Sequence, residues 1–341
     1  MMKIDWKTLE ILSEASKEKP NSLKIAKKTG IPQPTVYRRL QKLAEIGTIR
    51  ALPNFFKIGL RPLLLLAEPN KVKVNLIFDR ISTRLIRVEP QRQLFFLTVP
   101  ISYYSDYIER IKEEIPNAWI LSTYNPIKWC PDLNFLTVKN RVLRVLWGEL
   151  YRRTAGMKPG QELFSIPLPS KVDEYDILII SELERDSLQQ LKEIASKAHL
   201  YLELVVYHYK KHVKPALLGN LLDFPLVPKG TPWRVLKVDA ENRESLEKIV
   251  FFLTRIPWLR IGFPLLDEYS AIAILEVPYY EEESLFRLLM LLGEHGVVRG
   301  WRYLGYVDKP SYVEKELPRK YFRRNAWINV LDKLTVAGRE E

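Results

Sequence analysis

The chain contains little cysteine and little histidine. Cys130 is the single cysteine among 341 residues, and there are four histidines. One thiol cannot form an internal disulfide, and it excludes any metal site built on several cysteines. We therefore expect a fold held together by apolar cores, which the 47% of hydrophobic residues can supply.

Long apolar runs are also missing. The longest, such as LLLLA at 63–67, have the length of a β-strand and fall short of the roughly 18 residues that span a bilayer. The opening residues, MMKIDWKTLE, lack the apolar segment of a signal peptide. We expect a soluble, cytoplasmic protein with no membrane partner.

Familiar catalytic motifs do not occur in the sequence. There is no glycine-rich phosphate loop, no nucleophile elbow and no zinc motif of two histidines and a glutamate. We predict no catalytic residues, no cofactor, no metal, and a chain that is not an enzyme. His208 and His212 lie four residues apart but supply only two ligands, so exposed histidines on a basic helix are the favoured interpretation.

Basic residues are in excess. The 53 lysines and arginines outnumber the 41 acidic residues, which gives a net charge of +12 and a pI near 9.5. Such a balance favours polyanionic partners, with nucleic acid first and anionic membrane surfaces second. Scarce cysteine with abundant Lys, Glu, Arg and Pro is typical of thermophile proteins.

An internal repeat organises the chain. KIDWKTLEILSEA at 3–15 matches KVDEYDILIISEL at 171–183, and FLTVPISYYSDYIERI at 96–111 matches ILEVPYYEEESLFRLL at 274–289. Basic segments that carry a tryptophan follow in both copies, at 137–153 and 317–334, and we predict helices there. Three matches in the same order indicate a duplication, with a linker at 156–171 that contains two Gly and three Pro.

The repeat predicts an α+β fold of two copies, each a small helical unit, interpreted below as a winged helix-turn-helix, followed by a ferredoxin-like βαββαβ module. The expected domains are 1–58 (DNA-binding winged helix-turn-helix), 59–127 (first α/β module), 128–170 (basic helix and linker), 171–228 (degenerate winged helix-turn-helix), 229–308 (second α/β module) and 309–341 (basic C-terminal helix). One face of each sheet needs a cover, for which we expect the other copy's sheet or another chain.

Apolar runs and helical periodicity place the elements of the α/β modules. We predict strands at 61–68, 84–89, 92–99, 118–124, 233–239, 258–264, 271–277 and 297–306, and helices at 72–83, 102–114, 242–255 and 280–293.

Residues 5–52 have the pattern of three helices and a wing. Gly30 supplies the turn before the third helix, predicted at about 33–45, and Gly47 ends it. Val36, Leu40 and Leu43 recur at the spacing of a buried helical stripe. The opposite face is polar, and residues 1–60 hold 12 basic against 5 acidic residues. The sequence TIRAL begins the expected wing strand.

This segment resembles the winged helix-turn-helix of the archaeal and bacterial Lrp/AsnC-type transcription regulators. The matching residues are Gly30, Ile31, Thr35, Val36, Tyr37, Arg38, Arg39, Leu40, Lys42, Leu43, Gly47 and Ile49. A helix-turn-helix followed by a βαββαβ module is that family's architecture. The chain is about twice the family's length and has no clear equivalent of its glycine-bearing effector loops, so amino-acid sensing is not carried over.

A recognition helix in the major groove reads base edges with its N-terminal residues and positions itself on phosphates with nearby cations. The predicted base-contacting residues are Gln33, Thr35, Tyr37, Arg38 and Gln41. The predicted phosphate-contacting residues are Lys24, Lys27, Lys28, Arg39, Lys42, Arg50 and Lys57. The alternative is a solvated basic face, or a winged helix that binds protein.

The second copy has lost this chemistry. The counterpart of the recognition helix, LYLELVVYHYKKHV at 200–213, is apolar at its entry, and residues 171–220 hold 7 basic and 8 acidic residues. We predict a packing role, the alternative being a second DNA contact through Lys210, Lys211, His212 and Lys214.

The predicted function is that of a regulator that binds double-stranded DNA. We expect a homodimer, because each chain has one recognition helix suited to DNA. Two alternatives stay open. One is a small-molecule effector between the α/β modules. The other is an adaptor or RNA-binding protein whose strand aromatics (Phe95, Phe96, Trp301 and Tyr303) stack on bases.

Overall fold

The computed structural model describes Met2, residues 4–68, Leu76, residues 78–86, 91–158, Gly160 and residues 164–330. Its helices are α1 (Trp6–Ala15), α2 (Ser22–Thr29), α3 (Gln33–Ala44), α4 (Tyr104–Glu114), α5 (Trp147–Ala155), α6 (Glu174–Arg185), α7 (Leu191–Ala198), α8 (Leu202–His208), α9 (Arg243–Arg255) and α10 (Tyr279–Glu294). Its strands are β1 (Thr48–Pro53), β2 (Leu60–Ala67), β3 (Asp79–Ile86), β4 (Arg92–Pro100), β5 (Trp119–Ser122), β6 (Leu136–Lys139), β7 (Val142–Val145), β8 (Leu217–Asp223), β9 (Arg234–Ala240), β10 (Leu259–Pro264), β11 (Ser270–Leu275), β12 (Val298–Val307), β13 (Val313–Glu314), β14 (Phe322–Arg323) and β15 (Ala326–Trp327).

The predicted α+β class and its duplication are confirmed. Each copy has three winged-helix helices, a strand, and four antiparallel strands in ferredoxin-like order, which is β5-β2-β4-β3 in the first copy and β10-β11-β9-β12 in the second. The predicted domain limits stay predictions.

The two four-stranded sheets are joined at both edges. At one edge β12 pairs with β3 through Tyr306 and Val307. At the other, the residues after β5 bridge to β10 and its following residue, Thr123 to Leu265 and Ile127 to Gly262. The inner faces therefore meet, and the rings of Phe96 and Phe263 lie 4.8 Å apart between them. Each sheet is the cover of the other, and no second chain is needed for that purpose.

The two winged-helix units pair through their strands. β1 runs antiparallel to β8, with Ile49 opposite Leu222 and Ala51 opposite Asn220. The Asn220 amide also donates to the carbonyls of Ala15 (2.6 Å) and Glu18 (2.7 Å), so it ties β8 to the end of α1. The predicted wing strand thus exists, but its partner is the corresponding strand of the other copy.

The first copy's tail packs on the second module. Glu281, at the start of α10, accepts hydrogen bonds from Arg144 (3.1 Å) and Trp147 (2.5 Å). The Trp147 ring lies 6.1 Å from that of Trp258, which follows α9.

The second copy's tail packs on the first module. The indole N–H of Trp327 donates to the carbonyl of Ile58 (2.7 Å), and the Tyr103 hydroxyl donates to that of Ile328 (2.6 Å). The two copies thus exchange tails, as the subunits of an intertwined dimer do.

The predicted tail helices need correction. Residues 136–145 form the hairpin β6–β7 and only 147–155 are helical, while 322–327 form the hairpin β14–β15. Asn140, Arg141, Arg324 and Asn325 all have positive φ, as both central residues of a type I′ turn require. Residues 331–334 of the second predicted helix lie outside the described residues.

The predicted helix at 72–83 is also corrected in part. Residues 79–83 belong to β3, where Ile81 pairs with Phe96 of β4. Residues 72–75 and 77, and residues 87–89 of the predicted strand, lie outside the described residues. The second copy's predicted helix at 200–213 is α8 followed by a π-helical turn, Tyr209–Val213.

Candidate nucleic-acid interface

Helix α3 has one buried face and one polar exposed face. Val36, Leu40 and Leu43 are buried in a core shared with α1 and α2. The opposite face carries exposed polar and cationic side chains, namely those of Gln33, Tyr37, Arg38, Gln41 and Lys42. Thr35 is half-buried. The periodicity that places the apolar residues inward leaves the predicted base-contacting side chains, except Thr35, on the surface.

The turn before α3 fixes the direction of that face. Gly30 has a φ of 72°, and its N–H donates to the carbonyl of Ala26 (2.9 Å) as the left-handed cap of α2. Pro32 then precedes the first helical residue, and Pro34 lies in the first turn, where a missing N–H costs nothing.

Two side chains on the exposed face are already ordered by each other. The amide of Gln41 donates to the hydroxyl of Tyr37 at 2.7 Å, one helical turn away. Tyr37 is 52% exposed, so this pair presents an aromatic edge and an amide side by side to solvent. Such groups can exchange a mutual hydrogen bond for one with a base edge.

The predicted phosphate-contacting cations fall into three groups. Lys27 and Lys42 are exposed and, among the described residues, form no ion pair. Lys24 and Lys28 are exposed but paired with Glu18 or Glu14, at 3.0–3.6 Å. Arg39, Arg50 and Lys57 hold parts of the fold together, through Asp5, Glu314 (2.7 Å) and the carbonyl of Pro215 (2.8 Å) respectively.

The ion pair of Arg39 fixes α3 against α1. Its guanidinium donates to both oxygens of Asp5, which is also the N-cap of α1 and accepts from Thr8. Burial alone would raise the pKa of Asp5, but the hydrogen bonds from Arg39 and Thr8 outweigh it and hold that pKa at about 2. The carboxylate therefore stays charged at neutral pH.

The same face of the second copy is apolar. Tyr201 is 82% exposed, Tyr207 is 54% exposed and Leu202 is also on the surface. Lys210 and Lys211 are exposed beyond them, and His212 is half-buried. The prediction that His208 is exposed is wrong. Its ring is buried and lies against Asp176, because α8 turns this position toward α6.

A cavity of about 410 Å³ lies between the two α/β modules. Lys112, Trp119 and Leu121 line it from the first module, and Lys237, Glu268 and Arg302 from the second. The buried amine of Lys237 donates to Asp239 (2.8 Å) and Glu268 (2.7 Å). Sequence reasoning did not bring these residues together, because they come from elements far apart in the chain, a helix, strands and a turn.

The strand aromatics proposed for base stacking need correction. Phe95 and Phe96 are buried, so neither can stack on RNA. Trp301 is partly exposed, but its ring already stacks on Phe286 at 4.8 Å, and Tyr303 packs against the same ring. The RNA-binding alternative depended on exposed aromatic rings, and these four rings are not free to stack on bases.

A family model described as winged helix-turn-helix DNA-binding matches residues 2–50. That span contains α1, α2 and α3, so the N-terminal unit is a winged helix-turn-helix of the DNA-binding type. Among the curated proteins compared, none matches the chain. Among the described residues, no helix is both long and apolar enough to cross a membrane.

Two solved structures are similar over most of the chain. Siroheme decarboxylase NirDL aligns with a TM-score of 0.51 and 13% identity, over 91% of this chain and 92% of that chain. The same enzyme in co-complex with an iron-uroporphyrin III analogue aligns over the same shares with a TM-score of 0.42 and 15% identity. At such identities the likeness is one of fold.

The prediction that the chain is not an enzyme is wrong. It rested on missing motifs, yet a protein with the same fold over nearly its whole length is a decarboxylase. A winged helix joined to α/β modules is therefore compatible with catalysis, and the sequence motifs of other enzyme folds are no guide to it.

Proposed function

We propose that the chain is a sequence-specific regulator that binds double-stranded DNA, with α3 in the major groove. The observation that supports this most is the exposed polar and cationic face of α3 on a unit that matches a DNA-binding family. A helix fits the major groove, where each base pair presents a distinct pattern of donors and acceptors. The residues of α3 and its flanking glycines also favour the Lrp/AsnC-type class. Scarce cysteine with abundant Lys, Glu, Arg and Pro favours an archaeal, thermophilic source, and we propose a cytoplasmic location.

In this proposal Arg38 pairs with a guanine and Gln41 with an adenine. Each bidentate contact of this kind discriminates against a wrong base by about 1–3 kcal/mol. Gln41 must first release the hydroxyl of Tyr37, to which it donates in the free protein. Gln33 and Thr35 contact bases nearer the helix start.

The cations contribute unequally. Within the part of the chain that the structure describes, Lys27 and Lys42 pair with no carboxylate, so they meet phosphates at the smallest cost. Lys24 and Lys28 exchange Glu14 and Glu18 for phosphate. Arg39, Arg50 and Lys57 act chiefly by holding α3 and the wing strand in place.

Each chain carries one recognition helix with a polar face, α3, because the exposed face of its counterpart α8 is apolar. A palindromic site would therefore need two chains, with their recognition helices about one turn of the DNA helix apart. We propose that the chain binds such a site as a homodimer. Sedimentation of the chain with and without a selected duplex measures this stoichiometry directly.

The test is in vitro selection of duplexes from a random pool, followed by titrations at several salt concentrations. We expect an enriched motif and an affinity that falls linearly with the logarithm of salt. Enrichment of no motif, together with equal affinity for random duplex and for single-stranded RNA, would reject the proposal.

A second candidate function is effector binding in the cavity between the α/β modules. The supporting observation is its lining by both modules, with the guanidinium of Arg302 lying 5.7 Å from the partly exposed ring of Trp119. Cations beside an aromatic ring favour a planar organic anion. A thermal-shift screen with amino acids, nucleotides and siroheme tests it, the last because a siroheme decarboxylase shares the fold. No stabilisation by any of them, or equal stabilisation of Arg302→Ala, would reject this site.

A further inference from the structure

Three potential metal ligands meet where α6 begins. The Nδ1 atom of His208 lies 2.9 Å from a carboxylate oxygen of Asp176 and 3.6 Å from one of Asp173. One ligand atom from each residue falls within 4.8 Å of the other two. Asp176 and His208 are buried, so both are largely shielded from solvent. In the sequence, His208 and His212 alone were a weak indication of a metal site. The fold places two carboxylates next to His208.

The duplication identifies the residues of the first copy that correspond to this cluster. His208 corresponds to Arg39, since each is the seventh residue of its helix, in α8 and α3 respectively. Likewise Asp173 corresponds to Asp5 and Asp176 to Thr8, each pair being the N-cap and third residue of the unit's first helix.

The two clusters differ in charge. In the first copy the carboxylate of Asp5 is balanced by the permanent positive charge of Arg39. In the second copy a carboxylate has replaced the Thr8 hydroxyl and an imidazole has replaced the guanidinium. Among the described residues, no lysine or arginine forms an ion pair with Asp173 or Asp176. The second copy thus has an additional buried carboxylate and lacks the cation that the first copy uses.

An ion could reach the cluster. Asp173, Asp176 and His212 line one cavity of about 730 Å³, which opens between the linker and the β14–β15 hairpin. The rings of His208 and His212 lie 5.7 Å apart, and the chain between them widens into the π-helical turn Tyr209–Val213. Such turns are frequent at functional sites.

We propose that Asp173, Asp176 and His208 bind a divalent first-row transition cation of the Zn²⁺ type. The fourth position faces the cavity, where His212 or a water completes a tetrahedral set. Imidazole with carboxylate suits Zn²⁺ or Co²⁺ better than Mg²⁺ or Ca²⁺, which take oxygen ligands. The ion would join α6 to α8 in the second copy, as Arg39 joins α3 to Asp5 in the first.

The experiment is a titration of the full chain, stripped with EDTA, with Co²⁺ followed by visible absorption and with Zn²⁺ followed by calorimetry. We expect one equivalent bound by the unaltered chain, and at least tenfold weaker binding by Asp176→Asn and His208→Gln. Zn²⁺ should raise the melting temperature of the unaltered chain more than that of Asp176→Asn or His208→Gln, because a ligand stabilises the state that binds it. Mg²⁺ should raise none.

The control is His199→Asn, which removes a histidine outside the cluster at a left-handed position (φ 54°) that asparagine tolerates. It should bind like the unaltered chain. Asp173→Asn is a second test, since asparagine still caps α6. Melting curves in EDTA establish that each variant is folded.

Absence of stoichiometric binding by the folded, unaltered chain overturns the proposal, as does equal binding by the three cluster variants. No DNA enters this titration, so its outcome does not depend on the DNA-binding proposal.

Discussion

The guanidinium of Arg39 spans both carboxylate oxygens of Asp5, at 2.6 and 2.8 Å. This pair joins the third helix of the N-terminal unit to the first residue before α1. It fixes the angle at which the exposed face of α3 is presented, although neither residue lies at the centre of that face.

The first prediction concerns this pair. The folded-state pKa of Asp5 is about 2, against an ordinary value of 3.8. A depressed carboxylate pKa contributes stability that is complete above about pH 4 and is lost as the pH falls toward 2. We expect Asp5→Asn, whose amide still caps α1, to be less stable than the unaltered chain at pH 5. The difference should shrink as the pH falls from about 4 through 2. Urea unfolding at a series of pH values measures this, and a constant difference would contradict it.

The second prediction distinguishes sequence-specific from non-specific DNA binding. Arg38→Ala should weaken binding to the selected duplex by about five- to 150-fold, the equivalent of 1–3 kcal/mol, and binding to random duplex much less. The matched variant is Tyr207→Ala, at the corresponding position of α8, which should change neither. Equal losses on both duplexes for Arg38→Ala would contradict base reading by this residue.

The third prediction concerns phosphates. Lys42→Ala should weaken binding to all duplexes alike and reduce the slope of affinity against salt by about one. Lys211→Ala removes the corresponding lysine of the second copy and should leave the slope unchanged. A reduced slope for Lys211→Ala would instead favour a second DNA contact through α8.

The fourth prediction concerns the exchanged tails. Trp327 is buried against the first module and donates to the carbonyl of Ile58. Trp327→Ala should lower the free energy of unfolding by about 3–5 kcal/mol, the usual cost of removing a large buried aromatic ring. Tyr201→Ala, at a highly exposed aromatic, should change it by less than about 0.5 kcal/mol. Calorimetric melting compares the two, and a small loss for Trp327→Ala would mean that the hairpin contributes little.

The fifth prediction concerns the pairing of the winged helices. A Cβ atom at Gly47 would lie 2.3 Å from the backbone oxygen of Asp223 and 2.4 Å from the Phe224 ring. Gly47→Ala should therefore push β1 from β8 and destabilise the chain by about 1–3 kcal/mol, as overpacking does. Gly148→Ala, in α5 with no atom within 4 Å, should be neutral or stabilising. Equal stability of both variants would contradict this close approach.

Sequence periodicity was sufficient where one element buries one face against its neighbours. Helix α3 begins and ends within a residue of its prediction, because Val36, Leu40 and Leu43 follow helical spacing between a glycine turn and Gly47. Seven of the eight strands in the two modules were found for a similar reason, whereas residues 79–83 of β3 were predicted as helix. Their apolar runs are bounded by charged residues or turns.

The tails could not be predicted in this way. Their turns use Asn140-Arg141 and Arg324-Asn325, and arginine is a poor indicator of the left-handed conformation that it adopts there. Short hairpins with basic residues have the composition of a basic helix, and their stability comes from the other copy's module. The sequence of a tail does not show this tertiary contact.

The Asp173, Asp176 and His208 cluster shows a further limit. His208 is 32 residues from Asp176 in sequence, and only the crossing of α8 over α6 brings them together. A position-by-position comparison with Asp5, Thr8 and Arg39 could have found the cluster from the repeat alone. The necessary observation was that two of these three positions differ together between the copies, Thr8 being replaced by Asp176 and Arg39 by His208, while the aspartate at the N-cap is kept.

Joining both copies in one chain has an evolutionary consequence. Two identical subunits that exchange tails must carry the same surface twice, so any change to one recognition helix appears in the other. A fused pair escapes that symmetry, because every molecule contains one of each version. The N-terminal copy can keep a cationic surface while its relative acquires tyrosines and leucines, and the intertwined core that both need remains intact.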